Sequence, residues 1–220
     1  LFTPEEVKQI LSRIRGTTRF ADLKDVDLVV EAVFEDMSVK RDVFARLEQA
    51  CRPDAILATN TSSFAVGDLA RGTRSPDRVV GLHYFYHPAK NRLVEVVGGP
   101  QSSAGAVQRA WALQERLGKT PIRSKDACGF IVNRFFGPWL AEAVRVLDEG
   151  IADIPPIEAA AKQAFGIGMG PFELMNVTGV PIALHTAETL GRAFGPLYEA
   201  PSALRAQVAS GQPWDLAGTA

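Results

Sequence analysis

The chain has 220 residues, 46% hydrophobic and 22% charged, with 24 basic against 25 acidic side chains and a formal net charge of −1. These fractions exclude disordered and collagen-like classes, and the charge balance offers no basic footprint for nucleic acid or an anionic membrane surface. No apolar run approaches the roughly 18 residues that a transmembrane helix needs.

The opening residues are polar and helix-like rather than a secretory signal, so a cytoplasmic location is expected. Thr3 as N-cap with Pro4 behind it predicts a helix as far as Arg13. Residues 26–33, rich in Val and not strictly alternating, predict a buried strand, most simply parallel. Ser38 is placed to cap the next helix, whose apolar stripe is Val39, Val43, Phe44 and Leu47. Cys51 follows; like Cys128 it has no partner at metal or redox spacing and reads as a reduced thiol in or near a core. Residues 55–60 predict a second strand, with Asn60-Thr61-Ser62-Ser63 at its carboxyl end. Ligands of open α/β sheets bind beyond that end.

Strands are expected over 78–85 and 92–97. Ser102 or Ser103 opens a helix carrying Val107, Ala110, Trp111 and Leu117, which Gly118 closes, and a short strand is expected near 121–123. From Asp126 onward the pattern is helical, over 129–150, 157–165, 171–177, 181–194 and 202–209. Pro138 is expected to kink the first of these helices or to set its effective start. The glycines of 166–170 do not follow a strand, so they read as a helix–helix connector rather than a dinucleotide fingerprint. The whole predicts an α/β domain over 1–124 followed by an all-helical domain over 125–220.

Three features can carry chemistry. His83 ends one strand and Glu95 lies in the next, twelve residues on. If the strands pair, the imidazole meets the carboxylate, and a buried Glu needs such a partner. A His held by a Glu has a fixed tautomer and raised basicity, as a general base requires. The alternative is a solvated Glu on an edge strand beside an unrelated His. Ser62 and Ser63 either present hydroxyls to a ligand or simply cap a turn. Asn133, in the first apolar turns of a helix, either bonds across a domain cleft or faces solvent. His83, His87 and His185 form no metal signature, so no metal is expected.

Taken together, six segments resemble the L-3-hydroxyacyl-CoA dehydrogenase family over about residues 20–195. They are residues 27–33, Asn60-Thr61-Ser62-Ser63, Gly81-Leu82-His83-Tyr84-Phe85, Leu93-Val94-Glu95-Val96-Val97, Gly129-Phe130-Ile131-Val132-Asn133-Arg134 and Met169-Gly170-Pro171-Phe172-Glu173-Leu174. The resemblance implies a partial Rossmann-type dinucleotide-binding domain followed by an all-helical substrate and dimerisation domain. It implies NAD-dependent oxidation of a 3-hydroxyacyl-CoA to the 3-ketoacyl-CoA, of the fatty-acid β-oxidation type, by a homodimer with an acyl-CoA substrate. Narrower alternatives are a 3-hydroxybutyryl-CoA dehydrogenase, or a catalytically silent chain acting as a dimerisation module.

By resemblance His83 is the general base, Glu95 orients it, and Ser62 and Asn133 touch substrate and the reacting centre. Ala32, Glu35, Lys40 and Ser62 match positions that line the nucleotide site. Two places depart from the family. Tyr86 stands where an Asn commonly contacts the cofactor, and His87 where Pro is expected; His87 is read as structural or cleft-lining. The family's first strand, glycine fingerprint and ribose-binding acid would precede Leu1. The expectation is therefore a chain truncated relative to the family, weak in NAD binding, with an open sheet edge near 26–33.

Overall fold

A computed structural model describes residues 2–217. The chain opens with α1 (Pro4–Leu11), where Thr3 and Glu6 form a reciprocal capping box. Then come β1 (Leu28–Glu31), α2 (Met37–Ala50), β2 (Ile56–Thr59), the short α3 (Val66–Ala70), β3 (Val79–Tyr84), β4 (Leu93–Gly98), α4 (Ala104–Arg116) and β5 (Thr120–Lys125). The helical part contains α5 (Val132–Asp148), α6 (Ile154–Phe165), α7 (Pro171–Thr178), α8 (Val180–Phe194) and α9 (Ser202–Ser210).

The strands form one sheet in the order β1-β2-β3-β4-β5. β1, β2 and β3 run parallel, β4 is antiparallel to β3, and β5 is parallel to β4. The carboxyl ends of β1 to β3 and the amino end of β4 therefore share one edge. Alternation along each strand divides two cores. Leu57, Val79 and Val97 face Phe44, Leu47 and Val66 on one side. Ile56, Ala58, Val80, Leu82, Val94 and Val96 face Val107 and Ala110 on the other. In the helical part, Val144, Phe172, Met175, Leu204 and Trp214 pack together. No helix among the described residues is long and apolar enough to cross a membrane.

Several sequence expectations are corrected. β1 is an edge strand, as the open edge expected near 26–33 requires, but it is not buried: Val30 and, just past its end, Val33 are exposed. Asp36, not Ser38, caps α2. Its carboxylate accepts from the backbone N–H of Ser38 and Val39, at 2.8 and 3.0 Å, and from the Ser38 hydroxyl. An ionised cap at a helix N-terminus outcompetes a neutral one. Val39 is exposed and outside the apolar stripe. Pro138 does not set the start of α5, which begins at Val132 and carries the proline inside. The start is set by Gly129 and Phe130, both at positive φ, and by acceptors waiting beyond them. α6 begins at Ile154 because prolines are tolerated in a first turn whose N–H groups have no helical acceptor. Along α5, Val144 is core, Leu140 and Leu147 pack against it, and Phe135 is exposed. α3 was not anticipated; its free N–H groups at Val66 and Gly67 are taken by the Asp126 carboxylate, at 2.7 and 2.8 Å.

Candidate active site

The β3–β4 register sets His83 directly opposite Glu95. His83 Nδ1 lies 2.6 Å from Glu95 Oε2, with His83 6% exposed and Glu95 fully buried. The other oxygen, Oε1, accepts the backbone N–H of Ile131 at 2.8 Å and of Val132 at 3.0 Å. These are orphan donors at the N-terminus of α5. One carboxylate thus serves both the imidazole and the helix that opens the helical part. A carboxylate only accepts, so Nδ1 carries the proton and Nε2 keeps its lone pair. The Phe85 ring at 4.5 Å and the Phe130 ring at 5.7 Å flank the imidazole and limit its rotation.

The segment after β2 runs beside this pair. Asn60 Oδ1 accepts the Tyr84 N–H at 2.9 Å and ties the segment to the end of β3. The Ser62 carbonyl accepts from Asn133 Nδ2 at 3.3 Å, joining the segment to α5. Glu35 Oε1 accepts the N–H of Ser62 and of Ser63, each at 3.2 Å, the Ser63 hydroxyl at 2.6 Å, and the Thr61 hydroxyl. Partial burial pushes the Glu35 carboxyl up. The hydroxyls of Ser63 and Thr61 and the Lys40 ammonium outweigh it and hold the group below the ordinary Glu value. Lys40 Nζ stands between Glu31 Oε1 at 2.8 Å and Glu35 Oε2 at 3.0 Å.

The structure therefore brings His83 to Glu95, Ser62 to Asn133, and Glu35 to the Ser62 segment, with Lys40 against Glu35. Ala32 is exposed just past β1. Tyr86 is exposed in the turn beyond β3, its ring edge-on to His87 at 5.7 Å rather than on the His83–Glu95 pair. His87 caps that turn: Nδ1 accepts the Ala89 N–H, and the carbonyl accepts from Lys90 and Asn91. Sequence reasoning missed Glu31 and Thr59, while Thr61, Ser63 and Phe130 lie in segments it singled out without giving them these contacts. Glu31 carried the same signal as Glu95, a carboxylate inside an apolar strand. Burial pushes the thiols of Cys51 and Cys128 up, which disfavours their thiolates.

Comparison with known proteins identifies the family of the chain. The family model of the 3-hydroxyacyl-CoA dehydrogenase NAD binding domain matches residues 1–127, and that of the 3-hydroxyacyl-CoA dehydrogenase C-terminal domain matches residues 129–215. The chain belongs to the 3-hydroxyacyl-CoA dehydrogenase family. It is 38% identical over 187 residues to a 3-hydroxybutyryl-CoA dehydrogenase of Clostridioides difficile, a match that takes in 85% of this chain and 66% of that protein. The chain thus spans about two thirds of the length of that curated relative. The crystal structure of M. tuberculosis FadB2 superposes with a TM-score of 0.93 at 34% identity, covering 96% of this chain and 75% of the other. The (S)-3-hydroxybutyryl-CoA dehydrogenase PaaH1 of Ralstonia eutropha does so with a TM-score of 0.89, also at 34% identity and with the same coverage.

Proposed function

We propose that this chain carries the catalytic pair of an NAD-dependent dehydrogenase that oxidises a short 3-hydroxyacyl-CoA, with 3-hydroxybutyryl-CoA the substrate favoured by its relatives' names. The observation that carries the reading is the buried His83–Glu95 pair, 2.6 Å apart on opposed strands at the ligand-binding edge of the sheet. His83 Nε2 takes the proton of the substrate 3-hydroxyl. Glu95 stabilises the imidazolium that forms, as a buried carboxylate aimed at Nδ1 can. Ser62 and Asn133, joined by the 3.3 Å hydrogen bond, hold the hydroxyl and the developing ketone oxygen.

The residues present fit NAD on one side. A dinucleotide in this fold class lies across the carboxyl ends of parallel strands. Exposed Ala32 and half-buried Glu35 and Ser62 lie beyond the carboxyl ends of β1 and β2, and Asn60 ties the Ser62 segment to Tyr84, next to His83. When bound there, NAD supplies the acceptor for the hydride leaving C3. In this reading residues 1–124 carry the cofactor side. Residues 125–220 supply Asn133 and a homodimer contact, and the reaction is of the β-oxidation type.

Replacement of His83 by Gln tests the reading. We expect kcat on 3-hydroxybutyryl-CoA to fall about 10²–10⁴-fold, with acetoacetyl-CoA binding changed only a few-fold. Wild-type turnover in that variant overturns the general-base role. A series of acyl chain lengths then tests the short-chain preference.

A further inference from the structure

The segment between β2 and α3 is held from two sides, and one of its holders has no part in the chemistry described so far. From the sheet side, Glu35 Oε1 accepts the N–H of Ser62 and of Ser63, each at 3.2 Å, and the Ser63 hydroxyl at 2.6 Å. From the helical part come two donors on two helices. Asn133 Nδ2, on α5, reaches the Ser62 carbonyl at 3.3 Å. His185 Nε2, on α8, lies 3.3 Å from Ser63 Oγ. His185 is exposed and belongs to none of the segments that carry the family resemblance.

The proton positions follow from the partners. Ser63 has one hydroxyl proton, and the shorter contact, to a carboxylate, takes it. Its oxygen is then an acceptor toward α8, so His185 Nε2 carries a proton. A hydroxyl that donates to a carboxylate is polarised, which makes its oxygen a better acceptor. A second proton on His185 goes to Nδ1, so the contact with Ser63 is the same in both charge states. The arrangement is a fixed tie rather than a pH switch.

Packing carries both donors on one helix pair. Buried Leu190 of α8 lies so close to the start of α5 that a Cβ on Gly129 would come 2.6 Å from it, and one on Gly137 2.8 Å from it. His185 precedes Leu190 on the same helix, and Asn133 lies between those two glycines in the chain. A single hydrogen bond to the segment would leave it free to pivot. Two bonds to consecutive residues, from two helices packed on each other, do not.

We propose that His185 is a positioning residue of the reacting centre. From α8 it holds Ser63 as Asn133 holds Ser62 from α5, and the two ties together orient Ser62 toward the substrate. This rests on the functional reading above and deepens it: that reading assigns Ser62 and Asn133 to the reacting centre, and His185 acts on it through Ser63.

A donor series and a double-mutant cycle test it. His185→Leu removes the donor and keeps an apolar body. His185→Gln keeps an N–H₂ with the reach of Nε2. Ser63→Ala removes the acceptor, and Ser63→Ala combined with His185→Leu closes the cycle. Two readouts are taken: backbone hydrogen exchange of residues 61–64 in the free protein, and steady-state kinetics with 3-hydroxybutyryl-CoA and NAD.

For His185→Leu we expect kcat to fall about 3–10-fold, the scale of one neutral hydrogen bond, with KM changed less than about twofold. Exchange at 61–64 should speed up at least about threefold. His185→Gln should recover most of both losses. In the Ser63→Ala background, His185→Leu should change kcat by less than about 1.5-fold. Wild-type kcat or wild-type exchange in His185→Leu overturns the proposal. So does a His185→Gln variant as poor as His185→Leu, because the donor would then not be what matters. An undiminished effect of His185→Leu beside Ser63→Ala overturns it too, since His185 would then act by a contact of its own. If Ser63→Ala fails to fold, His185→Leu and His185→Gln decide alone. If the wild-type chain shows no turnover, the functional reading fails, and exchange in those same two variants judges whether His185 holds the segment.

Discussion

Glu95 divides its two oxygens between chemistry and architecture. Oε2 faces His83, and Oε1 holds the first turn of α5 through Ile131 and Val132. Substitution at the two members of the pair should therefore separate. Glu95→Gln keeps the shape but turns an amide N–H₂ toward donors on one side or the other. It forfeits one or two charge-assisted hydrogen bonds of about 1.5–3 kcal/mol each. We expect urea unfolding to show a loss of roughly 2–5 kcal/mol in Glu95→Gln, together with lost turnover. His83→Gln should cost turnover with a clearly smaller loss of stability; equal stability losses would mean that Oε1 does not anchor α5. Glu35 yields a pH prediction. Its folded value lies below the ordinary 4.5 and its unfolded value does not. Its contribution to stability is thus complete above about 4.5 and is lost as pH falls through the folded value. Wild type should lose stability on that acid side more steeply than Glu35→Gln, measured by thermal unfolding from pH 6 to pH 3; parallel curves would contradict it.

At the scale of elements, the turn before α7 shows how a glycine position is fixed. Glu158, on α6, caps α7 through Phe172 N–H at 2.6 Å and Glu173 N–H at 3.3 Å. A Cβ on Gly170 would come within 2.7 Å of Glu158 Oε1. Gly170→Ala must expel the capping carboxylate, at a cost of about 2–4 kcal/mol. Gly168→Ala, where a Cβ meets nothing within 4 Å, should change stability by no more than about 0.5 kcal/mol. Near-equal unfolding midpoints for the two variants would refute the cap. The same locality explains what could be read in advance. Strands 2 to 4 were legible because their apolar runs sit between breakers, and His83–Glu95 because a carboxylate inside such a run demands a partner. Glu31 made the same demand, but its partner Lys40 lies on a helix face, where a lysine looks solvated. α3 and the start of α5 were illegible because their caps, Asp126 and Glu95, come from distant strands or loops.

Among the described residues, two groups of exposed apolar side chains bear on association. One is on the helical part. Trp139 holds Phe136 at 5.5 Å and Phe165 at 6.3 Å between ring centroids, with Phe165 64% exposed and Phe135 73% exposed. The other lies at the opposite end of the chain. Phe34, 85% exposed, follows the edge strand with its exposed Val30 and Val33, and α1 buries none of its apolar residues. The two surfaces favour different association. A helical face with aromatic anchors suits a closed two-fold dimer, whose interface buries about 1,200–2,000 Å². A strand edge offers unpaired backbone groups and recruits further strands without closing. The proposed homodimer uses the first. We therefore expect sedimentation of the wild-type chain at micromolar concentration to show a dimer. Phe165→Glu, placing a charge on a largely exposed ring position, should raise the dissociation constant at least about 100-fold without altering the fold, because desolvating an unpaired carboxylate in an interface is costly. Val33→Lys, just past the end of the edge strand, should leave the dimer intact and slow aggregation on heating. If Phe165→Glu stays dimeric while Val33→Lys becomes monomeric, association runs through the sheet edge, and the helical part is not the dimerisation surface.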